Sequence, residues 1–223
     1  MYHCNLQFYL VGPACGAFDT VREMPPLAAF SHSFSHSDAP EEAAVRGADV
    51  IFVNLGRDGA AALLEPVLTW KKPTADVIVL AGEAAAEALL PYLPQLSDLW
   101  PADMDEGQTR WRFLRWQQSQ KRDKDLWQTG QYLEAVINSS PDMIWFKTAD
   151  GLHEKVNDAF CQIVNKPKAV VEGKDHCFIW DVGPADAEVC AETDRAVMNS
   201  GRTCTAEENV KSGEEMKLFI TYK

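Results

Sequence analysis

The chain has 223 residues, 46% hydrophobic and 24% charged, enough to bury a core in one or two domains. This composition excludes collagen-like, disordered and disulfide-scaffold chains, and no apolar run approaches the roughly 20 residues that cross a bilayer. The net charge of −12 argues against nucleic acid as a partner, because phosphate binding needs a basic surface.

Met1 to Phe18 contain no Lys or Arg, so a signal-peptide n-region is lacking and a cytoplasmic location is expected. Six cysteines without a CxxC pair then read as reduced, partly buried thiols. The first strand is expected at Asn5 to Gly12, before a Gly12-Pro13 turn. A weaker second strand falls at Leu27 to Ser33, and clear ones at Ala48 to Gly56 and Ala75 to Gly82. A short fifth strand fits Ser97 to Trp100. Continuous apolar strands of this kind belong to a parallel sheet covered on both faces. Helical spacing at Gly59 to Lys72 and after Gly82 completes a β-α order, hence a doubly wound α/β domain over residues 1–106. Asp58 and Glu83 read as helix-start charges. Gly12 to Gly16 matches no phosphate-loop pattern, and His32 and His36 read as solvated residues of a strand end and loop.

Five β/α units in about a hundred residues resemble a bacterial response-regulator receiver domain, a flavodoxin-like fold. The resemblance implies an acidic pair after the first strand, a phosphoacceptor Asp on the third, a hydroxyl on the fourth and a Lys on the fifth. LVGPACG supplies no carboxylate, Asn54 stands at the acceptor position, Ala81 at the hydroxyl and Ala102 near the Lys. An amide is a poor nucleophile toward phosphorus, and a magnesium site needs hard oxygen ligands. The domain is therefore read as receiver-like, not phosphorylatable and kept for binding or dimerisation, with no catalytic residues and no metal.

Residues 107–140 carry 6 basic and 3 acidic side chains between two acidic segments. Without a proline between Pro101 and Pro141, they read as a long connecting helix. Leu126, Thr129, Leu133 and Val136 fit an a/d repeat, and Trp111, Phe113, Leu114 and Trp116 cluster upstream. Dimerisation as a parallel homodimer is expected through Trp111, Leu114, Leu126 and Leu133. The other reading is a helix whose ends pack on their own domains. Gly130 is a plausible bend.

From Leu133 the chain reads as a helix end, a hairpin of Met143 to Lys147 and Leu152 to Asn157 about Asp150-Gly151, then short helices. These are expected at Ala159 to Val164 with Asp158 as N-cap, at Ala169 to Glu172 and at Cys177 to Asp181. A longer helix runs from Pro184 to a stop at Gly201, before strands at Thr203 to Lys211 and Glu215 to Tyr222 with a Ser212-Gly213 turn. The stretches SSPDMIWFKTADG, VNDAFCQIV, VEGKDH, ETDRAVMNSG and AEENV resemble the PAS domains of bacterial sensory proteins, over residues 133–223 and in order. Thr148 departs from the pattern, which has Asp there. The resemblance implies an α+β PAS domain at 141–223 with an antiparallel sheet whose last strand is expected after Lys223, in a longer protein.

The same resemblance implies a small-ligand pocket between sheet and short helices. Its lining candidates are Trp145, Lys147, Asn157, Phe160, Ile163, Val164, Phe178, Trp180, Val189, Met198, Phe219 and Tyr222. A pocket filled by its own side chains is the alternative. No cofactor is evident. Cys161 lies outside the flavin-photoreceptor pattern, and heme, with His153 of an exposed hairpin or His176 as axial ligand, is disfavoured. A polar ligand would meet Lys147, Asn157, Asp175 and His176. The expected function is a non-enzymatic sensory and dimerisation module feeding a diguanylate cyclase, or else a two-component histidine kinase, or a protein-binding scaffold.

Overall fold

A computed structural model describes residues 2–56, 61–212 and 215–223. Asp58 and Gly213, named above, lie outside the described residues. The chain divides into two compact units, Met1–Leu126 and Trp127–Lys223.

The first unit alternates β1 (Cys4–Val11), α1 (Gly16–Glu23), β2 (Phe30–Ser37), α2 (Glu42–Gly47), β3 (Val50–Gly56) and α3 (Leu64–Trp70). It continues with β4 (Asp76–Ala81), α4 (Ala86–Leu89), β5 (Asp98–Pro101) and the start of α5 (Glu106–Asn138). The strands are all parallel in the order β2-β1-β3-β4-β5, the flavodoxin-like arrangement of a doubly wound sheet. Successive side chains of a strand point to opposite faces. Tyr9, Val11, Ile51, Val53, Val77 and Val79 thus pack with Val45 of α2 and with Leu64 and Val67 of α3. Phe8, Leu10, Phe52, Ile78 and Leu80 pack on the other face with Phe18 of α1 and Phe113 of α5. Both faces are covered, which is why these strands read as unbroken apolar runs.

Two elements of the first unit differ from the sequence reading. The second strand lies three residues later than expected and takes in His32 and His36. Its alternating FSHSFSHS has no apolar run to mark it, and it stays in register with β1 from Cys4 to Val11 as an edge strand. His32 is not solvated but packs against Phe8, Phe34 and Phe113, while exposed His36 bonds the Gly12 carbonyl at 2.9 Å. The helix after Gly82 is mostly 3-10, with α4 between turns at Glu83–Ala85 and Leu90–Gln95, because Pro91 and Pro94 withhold backbone donors.

Helix α5 opens on a reciprocal cap: the Gln108 N–H donates to Asp105 Oδ1 at 2.7 Å, and the Asp105 N–H to Gln108 Oε1 at 3.1 Å. Thr109, Phe113 and Gln117 form its buried face in the first unit. The expected upstream cluster is therefore split. Trp116 stacks on buried Phe113 at 5.6 Å, whereas Trp111 and Leu114 face solvent.

The second unit begins within α5 and contains β6 (Trp145–Lys147), β7 (His153–Val156), α6 (Asp158–Val164), α7 (Lys168–Val171) and α8 (His176–Trp180). It ends with α9 (Pro184–Ser200), β8 (Thr205–Ser212) and β9 (Glu215–Tyr222). The antiparallel sheet expected here is two separate hairpins, β6 with β7 and β8 with β9. Four helices intervene in the chain between them, so neither hairpin forms through a direct turn to the other. Val156, Phe160, Val171 and Ile179 make the core, with Trp145, Val164 and Trp180 packed around it.

The N-cap of α6 is Asn157, not Asp158. Asn157 Oδ1 accepts from the N–H groups of Ile144 and Phe160 at 2.9 and 3.0 Å. Its Nδ2 donates to the carbonyls of Ile137 and Asp142 at 2.9 and 2.8 Å. No described helix is long and apolar enough to cross a membrane.

Candidate functional site

At the carboxyl ends of the parallel strands, where ligands of open α/β sheets bind, Asn54 is buried and hydrogen-bonded through both amide atoms. Its Nδ2 donates to the Pro13 carbonyl at 2.8 Å, and its Oδ1 accepts from the Gly56 N–H at 3.0 Å. The side chain ties the end of β3 to the β1–α1 loop. Gly12, at φ +100°, lies so close that a Cβ there would meet the Asn54 carbonyl oxygen at 2.3 Å. Ala81, which ends β4, is buried and Ala102, just after β5, is half-buried, and neither side chain offers a polar atom.

The second unit holds a cavity of about 630 Å³ between the β6–β7 hairpin, α9 and the end of β9. Its walls include Met143, Trp145, Val197, Met198 and Tyr222, and its polar side is Lys147, Asp194 and Lys223. Asp194 sits between the two lysines, 2.7 Å from Lys147 Nζ and 3.1 Å from Lys223 Nζ. Lys223 also reaches Glu208 at 3.2 Å and donates to Thr193 Oγ1 at 2.8 Å. Both ammonium groups approach Cys190 Sγ, at 3.6 Å from Lys147 and 3.4 Å from Lys223. Burial opposes ionisation of Asp194, but the two ammonium groups outweigh it and hold the carboxyl below its usual range. Burial likewise opposes the Lys223 charge, and the Cys190 sulfur, Asp194 and Glu208 together raise its pKa regardless.

Of the residues proposed for a pocket, Trp145, Lys147, Met198 and Tyr222 line this cavity. Phe160, Val164 and Trp180 instead fill the space between hairpin and short helices. Asn157 is a fully buried structural anchor. Ile163 and Phe219 are half-buried, and Val189 is exposed. Phe178 is exposed, flanked by the Lys166 and Lys174 ammonium groups. The sequence reading missed Asp194, Thr193 and Cys190, whose helical spacing on α9 puts them on the face toward Lys147.

His153 does not lie in an exposed hairpin. It is buried, its ring lies tilted against that of Phe160 at 5.5 Å, and its backbone pairs with Lys174 and Gly173. Burial, with Lys147 as a lesser repulsive charge, pushes its pKa down to about 4. His176 is half-buried against Trp180, with burial again lowering its pKa.

No protein-family profile matches the sequence, and neither does any curated protein. Among solved structures, the PAS domain of BvgS from Bordetella pertussis is similar at 16% identity, covering 43% of this chain and 71% of that one, TM-score 0.37. The pilus assembly protein CpaE from Caulobacter crescentus is similar at 11% identity, covering 48% and 90%, TM-score 0.36. A putative CpaE2 pilus assembly protein from Sinorhizobium meliloti is similar at 17% identity, covering 46% and 93%, TM-score 0.34.

Proposed function

We propose that this chain is the sensory and dimerisation module of a signal-transduction protein. The observation that carries the reading is α5, a continuous helix of 33 residues. Phe113 near its start is buried in the first unit and Ile137 near its end in the second, while residues 122–127 are exposed throughout. Large apolar side chains project from that solvated stretch and just beyond it: Leu126 is 64% exposed, and Trp127, Tyr132, Leu133 and Val136 are exposed too. A polar helix needs no such side chains, but a helix that meets its own copy does.

The first unit acts as a receiver-like scaffold without phosphate chemistry, its Asn54 committed to holding two loops together. The second unit is PAS-like, and its cavity, half apolar and half ion-paired, suits a small ligand that would couple β6 to α9. The signal then passes to an output domain, for which the sequence resemblance favours a diguanylate cyclase over a histidine kinase. Light scattering on the wild-type chain should give a dimer. Replacing Leu126 and Leu133 with Asp should give monomers of unchanged circular dichroism. A wild-type monomer at high protein concentration overturns the dimer.

A further inference from the structure

Two buried polar atoms of the first unit have no hydrogen-bond partner, Nδ1 of His32 and Oε1 of Gln117. His32 is on the edge strand β2 and Gln117 on α5, and both side chains line one crevice with Leu6, Phe30, Trp116 and Gln120. The Gln117 amide cannot be turned round. Its Nε2 donates to the Pro25 carbonyl at 3.1 Å, and a flip would set oxygen against oxygen. Its Oε1 is therefore an acceptor held in the crevice, and Gln117 is only 4% exposed. Across the crevice, a neutral imidazole in the Nδ1–H tautomer is a donor. The two groups are chemically complementary and yet unjoined. The crevice leaves no room for a water-sized molecule between them.

A buried donor and acceptor left unpaired are costly, and water cannot relieve them. A displacement of α5 against β2 would. Beside buried Phe113 and the Gln117 bond to Pro25, α5 is held in its present seat by bonds to Asp76 Oδ2, from Trp116 Nε1 at 3.0 Å and Gln120 Nε2 at 2.7 Å. The present arrangement thus satisfies Asp76 and leaves His32 Nδ1 and Gln117 Oε1 without partners. We infer that α5 has two seats on the sheet of the first unit, and that a His32–Gln117 hydrogen bond latches the second. The existence of two seats does not depend on the signalling role proposed above. Their use as a device does, since α5 is the element that would carry the shift onward.

The test is NMR relaxation dispersion on the whole 223-residue chain. Exchange on the microsecond-to-millisecond scale is expected at the backbone amides of residues 113–121 and at the Gln117 side-chain amide. His32→Phe keeps a ring in the aromatic cluster but removes the donor, so the exchange should vanish while the fold persists. Asp76→Asn, which weakens the present seat, should enlarge the minor population several-fold. In the wild type the His32 nitrogen shifts should report the Nδ1–H tautomer. A flat dispersion profile in the wild type, or exchange that survives in His32→Phe, overturns the inference. Either result leaves the light-scattering test of dimerisation unaffected, so the two readings fail separately.

Discussion

Four main-chain groups converge on the side chain of Asn157, from the end of α5, the loop before β6 and the first turn of α6. Asn157→Ala leaves all four without that partner in a buried place, and should destabilise the second unit by about 3 kcal/mol. A shift in the urea midpoint with an unchanged slope measures it. His153 sets a pH dependence of known sign. Its folded pKa of about 4 lies below the ordinary 6.5, so only the unfolded chain takes up a proton as pH falls through that interval. Stability of the second unit is therefore full above about pH 6.5 and declines toward pH 4, on the order of 2 kcal/mol in all. Glu134, held between Lys155 and Lys168, has its pKa depressed to about 2 and adds a further loss below the ordinary carboxylate value. Urea unfolding at pH 7.5 and 4.5 reads this, and His153→Phe should flatten the upper part. The neighbouring residues Asn157 and Asp158 also show where sequence reading stops. Both are good N-caps, and only the backbone geometry assigns the role to Asn157.

Among the elements, legibility followed burial on both faces. Strands β3 and β4 were placed within two residues because each is an apolar run ended by a turn residue, whereas β2 alternates Ser, His and Phe at a sheet edge and was misplaced. Helix α9 was bounded correctly by Pro184 at its first turn and Gly201, at φ +61°, after its last. Helix α5 was also foreseen, but not the division of its faces, since Trp111, Phe113, Leu114 and Trp116 look alike in a sequence. Within α5 the expected bend at Gly130 is not a break, for the helix runs through it, and a Cβ at that position would meet nothing within 4 Å. Gly130→Ala should therefore stabilise the helix by about 1 kcal/mol, seen as a higher thermal midpoint by circular dichroism at 222 nm, a helix wavelength.

For the molecule as a whole, the order of the parallel sheet was legible because strand and helix patterns alternate in the chain. The cavity of the second unit was not. Four of its lining residues were anticipated, but the ligand-sized space lies against α9 and the end of β9, while the expected space is packed with Phe160 and Trp180. Sequence pattern marks apolar positions without saying which of them meet each other. At the other end of the chain, acetyl phosphate with magnesium should leave residues 1–106 unmodified by mass spectrometry, in the wild type and in Asn54→Asp alike. The reason is that LVGPACG supplies no carboxylate for magnesium, and Ala81 and Ala102 bring neither hydroxyl nor ammonium, so an acid at 54 alone lacks its partners. An aspartate at 54 would also face the Pro13 carbonyl with no hydrogen to offer it. Asn54 is thus a strut: one amide side chain fastens the end of β3 to the loop after β1, and an acid in its place would exchange that fastening for an unanswered charge.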